Sequence, residues 1–278
     1  MNIHTFIPGI IAAIPMFSHL SSYNNFKNFH YFAFKYLIME NNVILDSGEI
    51  QAEQSRFIYK VYGWLAFALA LTGLVAYYAA QNTKLMDWVF SNWYGMLLVF
   101  GLQAVVVIFL TTRLNSMSSL AATISFILYS IISGFVYSSV FYVFTLGSLA
   151  PAFFISAVTF FIMGLYGHFT KNDVTSLSRL LMMTFIGLTI ATAYNWYNES
   201  SMLYWITAYS AILLFTALVA YDTQKLREIN IIGDEGTDDD KKEAVEGALC
   251  LYLDFIDILL VFAMLSRLFG KKKEPVVE

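Results

Sequence analysis

Cysteine is almost missing: Cys250 is the single one in 278 residues. One thiol excludes an intrachain disulfide and any cysteine-based metal cluster. Charge is scarce too, at 13% of residues, where an ordinary soluble domain carries about 25%. The 16 Lys and Arg are scattered over the polar breaks and form no basic stripe, so no nucleic-acid partner is expected. No glycine-rich phosphate loop occurs, and no ATPase domain with it. The net charge of −4 is small and points to no particular partner. What the chain has in quantity is apolar surface: 58% of residues are hydrophobic and the mean hydropathy is +0.63. That balance describes an integral membrane protein in a lipid bilayer.

Seven stretches approach the ~20 apolar residues needed to cross ~30 Å of hydrocarbon. They are Tyr59–Ala80, Trp93–Thr111, Ser118–Tyr142, Pro151–Gly167, Leu177–Tyr197, Met202–Asp222 and Ala244–Phe269. Backbone groups in lipid must bond within their own segment, so the expected fold is an all-α bundle of seven transmembrane helices. Pro151 fits a helix first turn, where no amide partner is lost. The sixth stretch is expected to continue as a polar helix to Arg227, and Ile229–Lys242, with its run Asp238-Asp239-Asp240, reads as a surface loop. Ser130, Ser133, Gly134, Ser138 and Ser139 mark the third stretch either for close helix packing or as a wall beside a polar path.

The ends divide as follows. Residues 1–38 lack the basic start of a signal peptide, and Pro8 and Pro15 break their apolar part. The expectation is an over-extended translation, with Met39 as the true start; an extra interfacial segment is the alternative. Residues 39–58 read as a polar cytosolic leader, 59–269 as the membrane domain and 270–278 as a polar tail. Arg56, Lys60, Arg113, Lys171, Arg179, Lys225, Arg227, Lys241 and Lys242 share one side of the membrane. The positive-inside rule makes that side cytoplasmic. Lys84 lies opposite, and so, with seven crossings, does the basic run Lys271–Lys273. Either that tail charge is tolerated, or the seventh stretch dips in and returns.

The anomaly is acid where lipid should be. Leu251-Tyr252-Leu253-Asp254-Phe255-Ile256-Asp257 carries two carboxylates about ten residues into an apolar run. A carboxylate at mid-bilayer costs at least ~2.5–3.5 kcal/mol, so it needs a partner or a task. Asp222 closes the sixth stretch in Ala220-Tyr221-Asp222-Thr223-Gln224-Lys225. If the sixth and seventh helices are antiparallel neighbours, Asp222 approaches Asp254. Two carboxylates close together in a low dielectric cannot both ionise easily and titrate as a unit, which makes a pH switch. The alternative for Asp222 is a solvated helix end beside Lys225. Arg113 is either an interfacial charge or a latch on the pair. Asp257 and Glu246 extend a possible ion path, with simple packing as the alternative for Asp257. His168 reads as structural, and Cys250 as a small apolar filler.

Three motifs together, Ala217-Leu218-Val219-Ala220-Tyr221-Asp222-Thr223-Gln224-Lys225, Gly247–Asp257 and Tyr166-Gly167-His168-Phe169-Thr170-Lys171-Asn172-Asp173, resemble the Bax inhibitor-1 family in its bacterial branch. The similarity runs from about Glu49 to Gly270. The resemblance implies a seven-helix bundle with the seventh helix central. It implies a pH-sensitive Ca²⁺ leak in the bacterial inner (plasma) membrane, acting as a monomer without a cofactor, with Ca²⁺ as the permeant ion. It places the family's aspartate pair on Asp222 and Asp254, with transient Ca²⁺ nearby, and its arginine, less firmly, on Arg113. Relatives often carry Asn where this chain has Asp257. Hard cations such as Ca²⁺ favour oxygen ligands, and acidic pore linings favour cations, so the physical reading agrees with a cation path. The resemblance also opens a second reading: a regulatory membrane adaptor that modulates a membrane-bound AAA protease or a stress and cell-death response. A remote third is an intramembrane aspartyl protease, since two aspartates on consecutive helices can activate water. Such proteases resemble one another in Gly-x-Gly-Asp and Pro-Ala-Leu motifs. Here Leu-Tyr-Leu precedes the second aspartate and no Pro-Ala-Leu follows it, so no enzyme is expected.

Overall fold

The computed structural model describes residues 47–143, 146–170, 172–229 and 235–269. The expectations for residues 1–38, for Met39 as the start and for Lys271–Lys273 lie outside the described residues. Within them the chain forms eight α-helices: α1 Ser47–Ala80, α2 Thr83–Ser91, α3 Trp93–Arg113, α4 Ser119–Val143, α5 Leu146–Phe169, α6 Ser178–Asn198, α7 Ser201–Ile229 and α8 Asp238–Phe269. Two 3₁₀ turns, Leu114–Ser116 and Thr175–Leu177, lie in the connections. Five helices are long and apolar enough to cross a bilayer: α1, α4, α5, α7 and α8. The apolar part of α3, Leu97–Arg113, is shorter.

The apolar runs form helices as expected, but several ends differ. Ala244 does not begin the last helix. It starts at Asp238, so the acidic run expected in a loop forms its first turn. Acid suits that place, because a helix N-terminus carries partial positive charge. The start is also capped: Thr237 Oγ1 accepts the Asp240 N–H (3.2 Å), and the Asp240 carboxylate accepts the Gly236 N–H (2.8 Å). Gly236 sits at φ 83°, where a side chain would be strained. α1 begins at Ser47, three turns before the apolar run expected from Tyr59. α5 begins at Leu146, which puts Pro151 in its second turn rather than its first. α2 was not expected at all; it is nine residues long and buries Met86 and Val89.

Most importantly, α8 is one unbroken helix of 32 residues. A stretch that dips in and returns needs a turn, and α8 contains none between Asp238 and Phe269. α8 is also enclosed. Of its most apolar window 83% is buried, against 22–39% for the other four long helices. Its side chains meet neighbours in several directions. Phe255 packs edge-on to Phe153 and Phe160 of α5. Tyr252 packs against Phe126 and Tyr129 of α4. Gly247 approaches Leu226 of α7 and Val61 of α1 so closely that a Cβ would lie 2.6 Å from the leucine.

The polarity of the bundle is reversed relative to a soluble protein. Large apolar side chains such as Phe67, Leu98, Phe109, Phe154, Phe161, Met183 and Leu213 face outward. Asp222, Asp254, Asp257, Thr72, Gln103, Ser130 and Ser133 are buried. Lipid solvates the first group, and the second must find partners within the protein. One end of the bundle is tied by polar contacts. Arg56 pairs with Glu235 (2.8 Å), and Lys60 with the buried Asp240 (2.7 Å). The Ser119 N–H and hydroxyl donate to Asp238. These contacts bring the start of α1, the start of α4 and the α7–α8 connection to one end, the grouping that the charge pattern implies.

Candidate functional site

α7 ends near the start of α8, and the two pack antiparallel, which carries Asp222 to the middle of α8. Tight packing places it. At Gly167 of α5 an added Cβ would fall on the Ala220 carbonyl oxygen and within 2.9 Å of the Ala220 Cα. Only glycine lets α5 and α7 approach this closely, two residues before Asp222. Beyond it, Gln224 holds the α5–α6 connection from both sides. Its Oε1 accepts the Val174 N–H (2.7 Å) and its Nε2 donates to the Asn172 carbonyl (2.8 Å). Lys225 donates to the Tyr221 hydroxyl (3.2 Å) and lies over that ring. The Tyr-Asp-Thr-Gln motif thus has its aspartate inside and its glutamine on the loop.

Asp222 and Asp254 are 6% and 4% exposed, and their side chains lie within hydrogen-bonding reach of each other. Burial excludes the solvated helix end as a description of Asp222. The second oxygen of Asp254, Oδ2, is buried without a hydrogen-bond partner. Neither aspartate makes an ion pair among the described residues. Cys250, one turn earlier on α8, is buried within electrostatic reach of Asp222, Glu246 and Asp254. Glu246 is half-buried one turn before Cys250.

Arg113 is brought elsewhere. It ends α3, is exposed, and makes no ion pair among the described residues. The 3₁₀ turn that follows it packs against α8, which keeps Arg113 at the tied end of the bundle. His168 lies at the end of α5 with its ring edge-on to Phe169, 4.8 Å between centroids. Asp257 is 4% exposed, one turn after Asp254.

Around and beyond Asp257 lies a polar layer of which only Ser130 and Ser133 were marked in the sequence. Thr72 of α1 donates to the Ser130 carbonyl of α4 (3.0 Å), so its oxygen accepts the Tyr252 hydroxyl (2.8 Å). Gln103 Nε2 of α3 donates to Tyr137 (3.3 Å) and Ser133 (3.4 Å) of α4. Tyrosine and glutamine inside apolar runs carry no local signal of this; only the packing brings them together. Of the small residues on α4, Ser133 joins the polar layer, whereas Gly134 serves close packing. An added Cβ at Gly134 would lie 2.7 Å from the Thr72 carbonyl oxygen. No group of three or more His, Cys, Asp or Glu suited to a metal ion occurs among the described residues.

A family model described as "Inhibitor of apoptosis-promoting Bax1" matches residues 54–274. The chain is 37% identical over 218 residues to "Inner membrane protein YbhL" of Escherichia coli strain K12, covering 78% of this chain and 92% of that one. It is 32% identical over 220 residues to an uncharacterized protein of Borreliella burgdorferi, covering 79% and 94%. It is likewise 32% identical over 220 residues to the uncharacterized protein RP147 of Rickettsia prowazekii, covering 79% and 91%. None of these names carries an enzymatic activity.

Proposed function

The chain belongs to the Bax inhibitor-1 family of membrane proteins, and from that premise we propose that it is a pH-sensitive Ca²⁺ leak of the bacterial inner membrane. In this reading seven spans, α1 and α3 to α8, pack around α8, with α2 between the first two. Asp222 and Asp254 form the gate. Protonated and joined, they hold α7 against α8. When the shared proton leaves, two like charges stand in a low-dielectric site, and repulsion drives the helices apart. The exposed carboxylates then offer the oxygens a hard cation takes. A site with so few ligands holds Ca²⁺ briefly, which suits passage rather than storage. Arg113, exposed at the same end, acts as a latch by pairing with a released carboxylate. Asp257 and Glu246 line the path on either side of Asp254.

The observation that carries this reading is the closeness of two buried carboxyl groups on packed helices, neither with an ion-pair partner among the described residues. Such an arrangement is costly unless its protonation does something. The test is Ca²⁺ entry into liposomes that hold the purified chain and a Ca²⁺ dye, with external pH stepped from about 5 to 8. Flux above that of empty liposomes, changing with pH, is the expected result. Flux equal to empty liposomes throughout would move the regulatory adaptor ahead of the leak.

A further inference from the structure

Asp257 has a different environment from the Asp222–Asp254 pair. Its carboxylate is 4% exposed and makes no hydrogen bond or ion pair among the described residues. It lies within electrostatic reach of two phenols of α4, Tyr129 and Tyr137, and of Asp254 on its own helix. The Tyr129 hydroxyl is itself buried and unpartnered; it lies toward Ser133 and Gln103 without reaching either at hydrogen-bond distance. Tyr137 and Ser133 each accept a hydrogen bond from Gln103 Nε2, and each keeps a lone pair free. No basic residue lies on α4, and none on α8 between Lys242 and Arg267. Asp257 therefore stands near neutral hydroxyls, one turn from Asp254, with no basic residue beside it on α4 or on its own helix.

We propose that Asp257, with the hydroxyl oxygens of Tyr129, Tyr137 and Ser133, forms a binding site for a monovalent metal cation of sodium size, separate from the Asp222–Asp254 pair. Charge decides the class of ion. One carboxylate balances one positive charge, whereas a divalent ion would leave a net charge in a low dielectric. Divalent sites also draw on more oxygens and usually on several carboxylates. Neutral hydroxyl oxygens complete the shell of a small hard cation without adding charge. The Tyr129 hydroxyl, buried without a hydrogen-bond partner, gains in the ion the partner that buried polar atoms require, and the Asp257 carboxylate gains a counter-charge. This site does not depend on the calcium-leak reading.

The test is thermal unfolding of the full chain in detergent at pH 8, with choline chloride exchanged for NaCl at constant ionic strength. Ligand that binds the folded state raises the unfolding temperature by mass action. The expected result is a saturable rise specific to Na⁺. It disappears in Asp257→Asn, persists in the exposed Asp239→Asn, and needs several-fold more Na⁺ in Tyr129→Phe. Equilibrium binding of ²²Na⁺ to the unaltered protein gives a second readout should a variant not fold. One Na⁺ per chain, displaced by unlabelled Na⁺ and not by choline, is expected. Identical unfolding in both salts, an undiminished Na⁺ effect in Asp257→Asn, a lost effect in Asp239→Asn, or no bound ²²Na⁺ would overturn the site. Identical unfolding in both salts would mean that a proton alone neutralises Asp257.

Discussion

At the scale of single residues, burial separates side chains that look alike on paper. Asp254 stood out because an acid in an apolar run is expensive. Asp222 stood out less, since an acid at a helix end is ordinary; the packing of α7 on α8 is what buries it. Tyr129, Tyr137 and Gln103 could not be picked out, because nothing local distinguishes a tyrosine that meets lipid from one buried inside the bundle. Gly167 is a further case. It lies in the Tyr166–Asp173 motif, yet its role is steric and is set by the approach of another helix. Gly167→Ala pushes a methyl group into the Ala220 backbone. Overpacking of this kind costs ~1–3 kcal/mol. The expected outcome is a lower unfolding temperature in detergent, together with an altered pH dependence of flux because Asp222 is displaced. A variant with unchanged stability would show that α5 and α7 can separate at no cost.

At the scale of elements, periodicity and hydropathy located the long apolar helices but misplaced their ends. α1 and α8 both extend into polar sequence that a hydropathy reading assigns to a leader and a loop. Caps and ion pairs sustain those extensions: Thr237 at the start of α8, and Lys60 reaching from α1 to Asp240. The Lys60–Asp240 contact joins residues 180 positions apart, so no window along the chain contains it. α2 escaped because nine residues with one apolar face are too short to look like a span. The α5–α6 connection gives a prediction at this scale. Its backbone is held by Gln224, which accepts from Val174 and donates to Asn172. Gln224→Ala leaves both groups without that partner, at ~1 kcal/mol per lost hydrogen bond. Amide exchange over residues 172–177 is expected to quicken, while exchange in α4 stays unchanged. Equal protection in variant and parent would remove Gln224 as the clasp.

At the scale of the whole molecule, the bundle turns apolar side chains outward and acid inward, around a helix buried on most of its surface. That inversion was legible from composition. The enclosure of α8 was not legible from composition, where it reads as one apolar run among several; only the family resemblance put the seventh stretch at the centre. In the proposed reading the two carboxyl groups are one device, each tolerated because the other shares its proton. The central claim is therefore that they titrate together, and coupled groups give non-additive effects when removed. The most direct measurement is the pH profile of Ca²⁺ flux in liposomes for the unaltered chain, Asp222→Asn, Asp254→Asn and the double variant. Each single change is expected to flatten or displace the profile, and the double variant to resemble the singles rather than their sum. Independent, additive shifts, or a profile untouched by either substitution, would contradict the account.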